Sequence, residues 1–380
     1  MLHKLAPLIL IYCCFPFNTY AQEVNLDSLR SILHSEAIKS LSFDKHIKVQ
    51  REYPNIDQDL TIAYGEALVA REDFMRIDSL KAQAYFELGY NYRNWGNNSK
   101  TKSYLTESLA LFEKLKDVPG QTNATNLLAV YYANIDKDST AIHLYTETIR
   151  LAQSIRDTVK WISPYKGLSS LFAKLGLNDK CIAYSEEGLL LARKIDHKLN
   201  IAALSNNMAI GYYQKEDYAT CVKYLNEALV INKQLELTEA TIRNLSNIGA
   251  VYQKTGDIPR ATKYMEEAES LLSKINIPRT NVYTYIELAK LRNLQMDYMG
   301  AIGYANRAIE IGKTAGIESI ADGAYANLSD AYKGLRQPKE ALSALEKYWE
   351  IQSKFLETER NESIANVEQE FQQFKKEAEI

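Results

Sequence analysis

Outside its first few residues the chain has histidine at His34, His46, His143 and His197, the side chains best suited to move a proton or ligate a metal near neutral pH. Each stands alone in its own stretch, with no His-x-x-x-His pair and no carboxylate spacing that would converge on one ion. They read as surface or half-buried residues. Glu186-Glu187 and Glu266-Glu267 could work as acid pairs, but lysines lie near both, and solvated helix faces account for them. Cys181 and Cys221 stand forty residues apart, on equivalent positions of neighbouring helices about 8–10 Å from each other. That separation is beyond a disulfide, and both read as small buried residues in the place of alanine. The chain has no phosphate-cradling glycine loop, no nucleophile elbow and no Cys-x-x-Cys. The reading is a non-enzymatic protein without metal or cofactor.

The elements that hold these residues are set by a ladder of small side chains. Gly89, Ala129, Ser169, Ala209, Gly249, Ala289 and Ser329 recur every forty residues, followed three positions later by Tyr92, Tyr132, Phe172, Tyr212, Tyr252, Arg292 and Tyr332. A second ladder lies twelve residues further on: Thr101, Ala141, Cys181, Cys221, Ala261, Ala301 and Ala341, with Ala268 and Ala308 one helical face beyond. Between the ladders the chain breaks at Gly96-Asn97, Gly176, Glu216-Asp217, Gly256-Asp257, Asp297 and Gln337-Pro338. Apolar residues on either side follow spacings of three and four, as in Leu245, Ile248, Tyr252 and then Ala261, Met265, Ala268, Leu272. Each unit is therefore two amphipathic helices. Small residues give one helix a shallow surface on which the other can land, and the nearby tyrosine fills the adjacent hole. Pro259 and Pro338 fall in first turns, Pro54, Pro119 and Pro278 in links between units, and no proline is expected at a helix centre.

Leu88-Gly89-x-x-Tyr92, Ile248-Gly249-x-x-Tyr252 and Leu328-Ser329-x-x-Tyr332, followed by Ala261 with Ala268 or by Ala341 with Leu345, resemble the tetratricopeptide repeat in its long-unit subtype. The resemblance covers about residues 55 to 350. It implies an all-α, right-handed superhelical solenoid of antiparallel helix pairs ending in a long carboxyl-terminal helix. Seven units of forty residues would span 82–345, beginning near 82, 122, 162, 202, 242, 282 and 322, with a divergent helical hairpin at 22–81 before them. Arg292 in the aromatic register, Gly188 and Tyr348 in the second small register of the second helices, and polar Ser185 depart from the pattern. The weakest internal contacts are expected near Gly188, Ser185 and Arg292.

In arrays of this kind the first helices line a concave groove. By helical spacing the residues on its free side are Asn126, Asn134, Lys166, Lys174, Asn206, Tyr213, Gln214, Arg243, Asn247, Gln253, Lys254, Lys290 and Asn293. Asparagine can pair with an extended peptide backbone, and lysine or arginine can hold a carboxylate. The resemblance thus implies a protein or peptide partner; a mildly acidic balance speaks against nucleic acid.

The ends suggest where the array works. His3 and Lys4 precede the apolar run from Leu5 to Phe17, and Thr19-Tyr20-Ala21 offers a cleavage site before Gln22, so 1–21 reads as a secretory signal. The mature chain would carry 44 basic and 48 acidic residues, a net charge of about −4. Export points to the periplasm of a Gram-negative bacterium. From Glu346 to Ile380 there is no glycine or proline, and Ile364, Val367, Phe371, Phe374 and Ala378 form a short heptad stripe. This stretch, 346–380, is either a cap folded back on the array or a coiled-coil stalk that makes a homodimer through Ile364, Val367, Phe371 and Phe374. The stalk reading resembles the sensory portions of bacterial membrane regulators, with membrane association only if the chain continues past Ile380. Two functions follow: an exported scaffold that binds protein or peptide in its groove, or the periplasmic sensory domain of a transcriptional regulator or histidine kinase.

Overall fold

Twenty residues is the true period of the backbone, half the period of the side chains. In the computed structural model, which describes residues 26–354 apart from 36, 39, 40, 54–56 and 156, a left-handed residue closes nearly every helix at that interval. Gly96, Gly176, Gly256 and Gly316 take positive φ freely, but Lys116, Asp136, Asp196, Glu216, Glu236, Met296 and Arg336 do so as well. Each is followed by an amide that reaches back five residues: Asn97 to Tyr92 O at 3.0 Å, Lys137 to Tyr132 O at 2.9 Å, Asp257 to Tyr252 O at 2.9 Å. The next helix then opens on a cap. Asp57, Asn97, Asp117, Asp157, Asp257 and Asp297 each accept the amide three residues on.

The resulting helices are α1 (Leu26–Leu33), α2 (Phe43–Glu52), α3 (Gln58–Val69), the single turn α4 (Glu72–Met75), α5 (Asp78–Asn94), α6 (Asn98–Lys114), α7 (Val118–Asn134), α8 (Asp138–Ser154), α9 (Thr158–Lys174), α10 (Asn178–Lys194) and α11 (Lys198–Gln214) in the first compact unit, which runs to Asp217. The second unit, from Tyr218, holds α12 (Tyr218–Gln234), α13 (Thr238–Thr255), α14 (Ile258–Leu272), α15 (Pro278–Leu294), α16 (Tyr298–Thr314), α17 (Asp322–Gly334) and α18 (338–354). Among the described residues there is no strand, and no helix long and apolar enough to cross a membrane. Within each unit the helices pack as antiparallel pairs, α5 on α6, α7 on α8, α9 on α10, α13 on α14 and α15 on α16. Consecutive first helices also touch, α7 on α9, α9 on α11, α13 on α15 and α15 on α17, whereas consecutive second helices meet little or not at all. That difference makes the first helices the close-packed side of each unit.

The small residues do what their spacing implies. A Cβ on Gly89 would lie 2.6 Å from the Leu105 side chain, and one on Gly249 would lie 2.6 Å from Met265 Sδ. Ala129, Ala289, Ala141, Cys181, Ala261, Ala268, Ala301 and Ala308 are wholly buried, and Ala209, Cys221 and Ala341 nearly so. Neither Cys181 nor Cys221 is in a disulfide; burial pushes the Cys181 thiol up to about 11, and it donates to Asn207 O at 3.3 Å. The aromatic register stacks on the second helix of its own pair. Tyr92 lies on Tyr104 with centroids 5.8 Å apart, Phe172 on Tyr184 at 5.2 Å and Tyr252 on Tyr264 at 5.8 Å. Tyr132 and Tyr212, in the same register, are half-buried. Arg292 keeps the arrangement, its guanidinium 5.9 Å from the Tyr304 centroid and Nη1 donating to Gln295 Oε1 at 3.1 Å. Gly188 is equally fitted, since a Cβ there would come within 2.9 Å of Leu204. Two positions expected to be weak are therefore packed for the residues they carry.

Other expectations shift. First helices begin at Asp78, Val118, Thr158, Lys198, Thr238, Pro278 and Asp322, four residues before the sequence-based starts in six of the seven units. The cause is an added turn behind the caps, which draws Pro119 and Pro278 out of the links and into first turns. Pro164 lies inside α9, buried, where an interior proline was not expected. Residues 22–81 hold more than one hairpin: α1 precedes α2 and α3, and α4 follows them. Trp349 is 59% exposed and packs edge-on against Tyr348, and Gln352 Nε2 ties α18 to Asp322 Oδ2 at 2.5 Å. The signal segment 1–21 and the heptad residues Ile364, Val367, Phe371 and Phe374 lie outside the described residues.

His46 is the one histidine among the described residues that is wholly buried. Its Nδ1 lies 3.1 Å from Tyr64 O in α3, and its Nε2 has no partner. Burial holds its pKa below the ordinary 6.5, opposed by the bond to Tyr64 and reinforced by the nearby Arg71. A proton is thus bound more readily by the unfolded chain. The stability from neutral His46 is full above about pH 6.5 and is lost as pH falls below that toward the folded value. Amide protection in α2 and α3, taken relative to the intrinsic exchange rate at each pH, is expected to fall between pH 7 and 5, and His46→Gln should remove that dependence.

Candidate peptide-binding face

The close-packed side of each unit is laced by amide side chains that donate across the seam between first helices. In the first unit Asn207 Nδ2 donates to Lys166 O at 3.2 Å and to Ser169 Oγ at 2.7 Å, Gln214 Nε2 to Ala173 O at 3.2 Å and Asn126 Nδ2 to Ser163 Oγ at 3.1 Å. Asn91 Nδ2 donates in the same way to Gln50 O at 3.2 Å, which puts α2 in register as the first helix of an eighth repeat. In the second unit Asn327 Nδ2 donates to Ile286 O at 3.0 Å, Asn293 Nδ2 to Asn327 O at 2.9 Å and Gln253 Nε2 to Glu287 O at 3.2 Å. Tyr283 Oη donates to Asn247 Oδ1 at 3.1 Å. The nitrogens of these donating amides are used between helices, and the buried oxygens of Asn126, Gln214, Gln253 and Asn293 have no donor among the described residues.

The residues expected to line a groove fall on this side, with different freedom. Lys174 is tied down: its ammonium pairs with Asp136 and, at 3.2 Å, with Asp138, so it straps α9 to the preceding pair. Burial alone would lower its pKa, and the two carboxylates hold it above the ordinary lysine value instead. Lys166, Asn206 and Tyr213 are half-buried along α9 and α11. In the second unit Arg243 is half-buried beside Glu239 at 3.8 Å, Lys254 is exposed and Lys290 is half-buried; neither lysine forms an ion pair with a described residue. The structure places Arg243, Asn247, Lys254 and Lys290 on α13 and α15, and Asn126, Lys166, Lys174, Asn206 and Tyr213 on α7, α9 and α11. No group of three or more metal-ligating side chains exists among the described residues.

Except at Asn247, sequence reasoning missed the position just before the Leu, Ile or Met that precedes each small residue. It reads Glu87, Leu127, Gly167, Asn207, Asn247, Glu287 and Asn327. Polar residues recurring inside an otherwise apolar register were the available signal. Glu87 is buried and accepts from Arg51 Nε at 2.7 Å and from Gln83 Nε2 at 2.7 Å; Glu287 is as deeply buried, and its Oε2 has no partner. Burial raises both carboxyl pKa values, against the pull of Arg51 on the first and of Lys290 on the second.

Models of the tetratricopeptide repeat match residues 200–274 and, separately, 82–114 and 322–355. Those three stretches are tetratricopeptide repeats, and the described residues as a whole are all-α and built of antiparallel helix pairs. Among solved structures it is similar to the apo form of RapI, at 12% identity over 87% of this chain and 97% of that one, with a TM-score of 0.63. It is similar to the quorum sensor NprR from B. thuringiensis in its apo form, at 17% identity over 86% and 97%, with a TM-score of 0.58. A signal-transduction ATPase with a tetratricopeptide repeat sensor from Pyrococcus horikoshii matches at 18% identity over 88% of this chain and 52% of that one, with a TM-score of 0.62. At these identities the likeness is one of fold. Comparison with curated proteins found no match.

Proposed function

We propose that this chain is an exported, non-enzymatic scaffold that holds a protein or peptide segment against the first-helix side of its repeats. The observation that supports this reading is the set of polar side chains on that side: the half-buried amides of Asn247 and Asn293 and the cations of Arg243, Lys254 and Lys290, of which the two lysines form no ion pair with a described residue. An extended segment presents amides to the first and carboxylates to the second. Proteins of the same fold include sensors, one of them the quorum sensor NprR, and a Rap protein solved in complex with Competence and Sporulation Factor. This favours a second reading, a periplasmic sensory domain whose carboxyl-terminal heptads dimerise; sedimentation of the full chain as a monomer at high concentration would sink it.

The test of the first reading is a random heptapeptide array probed with purified protein. The wild type is expected to retain a defined set of peptides. Replacing Arg243, Lys254 and Lys290 together by glutamine should weaken that retention by about a hundredfold or more, at roughly tenfold for each lost charge-assisted bond. If the triple variant keeps the same peptides at the same strength, this face is not the binding face.

A further inference from the structure

Glu87 and Glu287 occupy the same repeat position, five repeats apart. The first is completed from within the chain: Arg51, in the last turn of α2, places Nη2 2.7 Å from Glu87 Oε1, and Gln83 donates to the same oxygen. In the second unit both partners are replaced. Val251 stands in the register of Arg51 and is buried; Tyr283 stands in the register of Gln83 and spends its hydroxyl on Asn247. On the far flank the register that carries Tyr283 in α15 carries Gly323 in α17, which has no side chain to offer, and Asn327 of that helix spends its amide on Ile286 O at 3.0 Å. Glu287 is left 5% exposed, with Oε2 unpartnered.

We infer that Glu287 selects a basic side chain, guanidinium before ammonium, on the polypeptide segment bound along α13, α15 and α17, where it takes the place that Arg51 fills for Glu87. This rests on the reading that the first-helix side binds a polypeptide. The chemistry follows from the orphaned acceptor. A buried carboxylate calls for a charged donor, and a guanidinium can give two parallel hydrogen bonds to it. The charged groups near it do not supply one. Lys290, one turn on along α15, pulls on the carboxyl from a distance but forms no ion pair with it; Arg243 lies beside Glu239 on α13; Asp322 on α17 receives Gln352. The neighbouring cations then meet acidic groups elsewhere along the same segment, so the partner has mixed charge.

The experiment probes the heptapeptide array with the full chain as wild type, Glu287→Gln and Glu87→Gln, and measures retained peptides again with citrulline in place of arginine. The wild type should enrich arginine or lysine at one peptide position. Glu287→Gln should abolish that enrichment and weaken arginine peptides about ten- to hundredfold while leaving their citrulline forms unchanged. Citrulline alone should weaken wild-type binding to a similar degree, an outcome that needs no variant to fold. Peptides retained without a basic preference, a preference that survives in Glu287→Gln, or an equal loss in Glu87→Gln would overturn the inference and leave the binding face standing. Retention of no heptapeptide by the wild type would overturn both.

Discussion

Replacing Ala261 by phenylalanine is expected to cost about 1–3 kcal/mol and to open the α13–α14 pair before the rest of the second unit. Ala261 is wholly buried, and Gly249 on the facing helix already sits so near that a Cβ there would lie 2.6 Å from Met265 Sδ and 3.6 Å from Ala261 O. The space left is the depth of a methyl group. A benzyl group must displace Met265 or drive the helices apart, and α15 packs on both α13 and α14, so a shift there is passed on. In a repeat array no distant core compensates, because each pair is held by its neighbours. Amide exchange followed along the whole chain should show the loss concentrated in 238–272. Leu190→Ala, at a side chain 72% exposed, should change stability by less than about 0.5 kcal/mol. If Ala261→Phe were as mild, the ladder would not be the contact that sets helix spacing.

The forty-residue ladder was legible because packing repeats the same side chain wherever the same depth is needed. Gly89, Ala129, Gly249, Ala261 and Ala301 carry one steric instruction each, and spacing alone reveals it. Helix ends were less legible. Left-handed closure at Lys116, Glu236 and Met296 is enforced by the bond five residues back and by packing on both sides, so residues with no preference for that conformation accept it. Pro164 shows the same override inside α9. The face was legible as a set of polar positions but not as a wiring diagram. Lys174 and Lys254 share a register, yet the first meets Asp136 and Asp138 across the seam and the second meets no carboxylate. Periodicity places a residue on a side; what it pairs with depends on a neighbour forty residues away.

The two equivalent glutamates are expected to answer substitution with opposite signs. Arg51→Ala leaves Glu87 buried against Gln83 alone and should destabilise the first unit by about 1–3 kcal/mol at pH 8, toward the low end because the Arg51 side chain is itself 56% exposed. Glu287→Leu removes a carboxyl that the chain does not satisfy and should stabilise the second unit by a similar amount at the same pH. The pH dependence separates burial from packing. Burial raises the folded pKa of Glu287 above its ordinary 4.5, so the folded form binds the proton more tightly. Wild-type stability relative to Glu287→Leu is therefore greatest below about pH 4.5 and declines as pH rises from there through the folded value. Urea unfolding of both proteins between pH 4 and 8 reads that difference directly. A gap that stays constant across the range would mean that Glu287 is ionised and satisfied in the folded chain. A gap that opens with pH marks a residue kept at a cost in stability, which is the usual sign that a buried group meets something beyond its own chain.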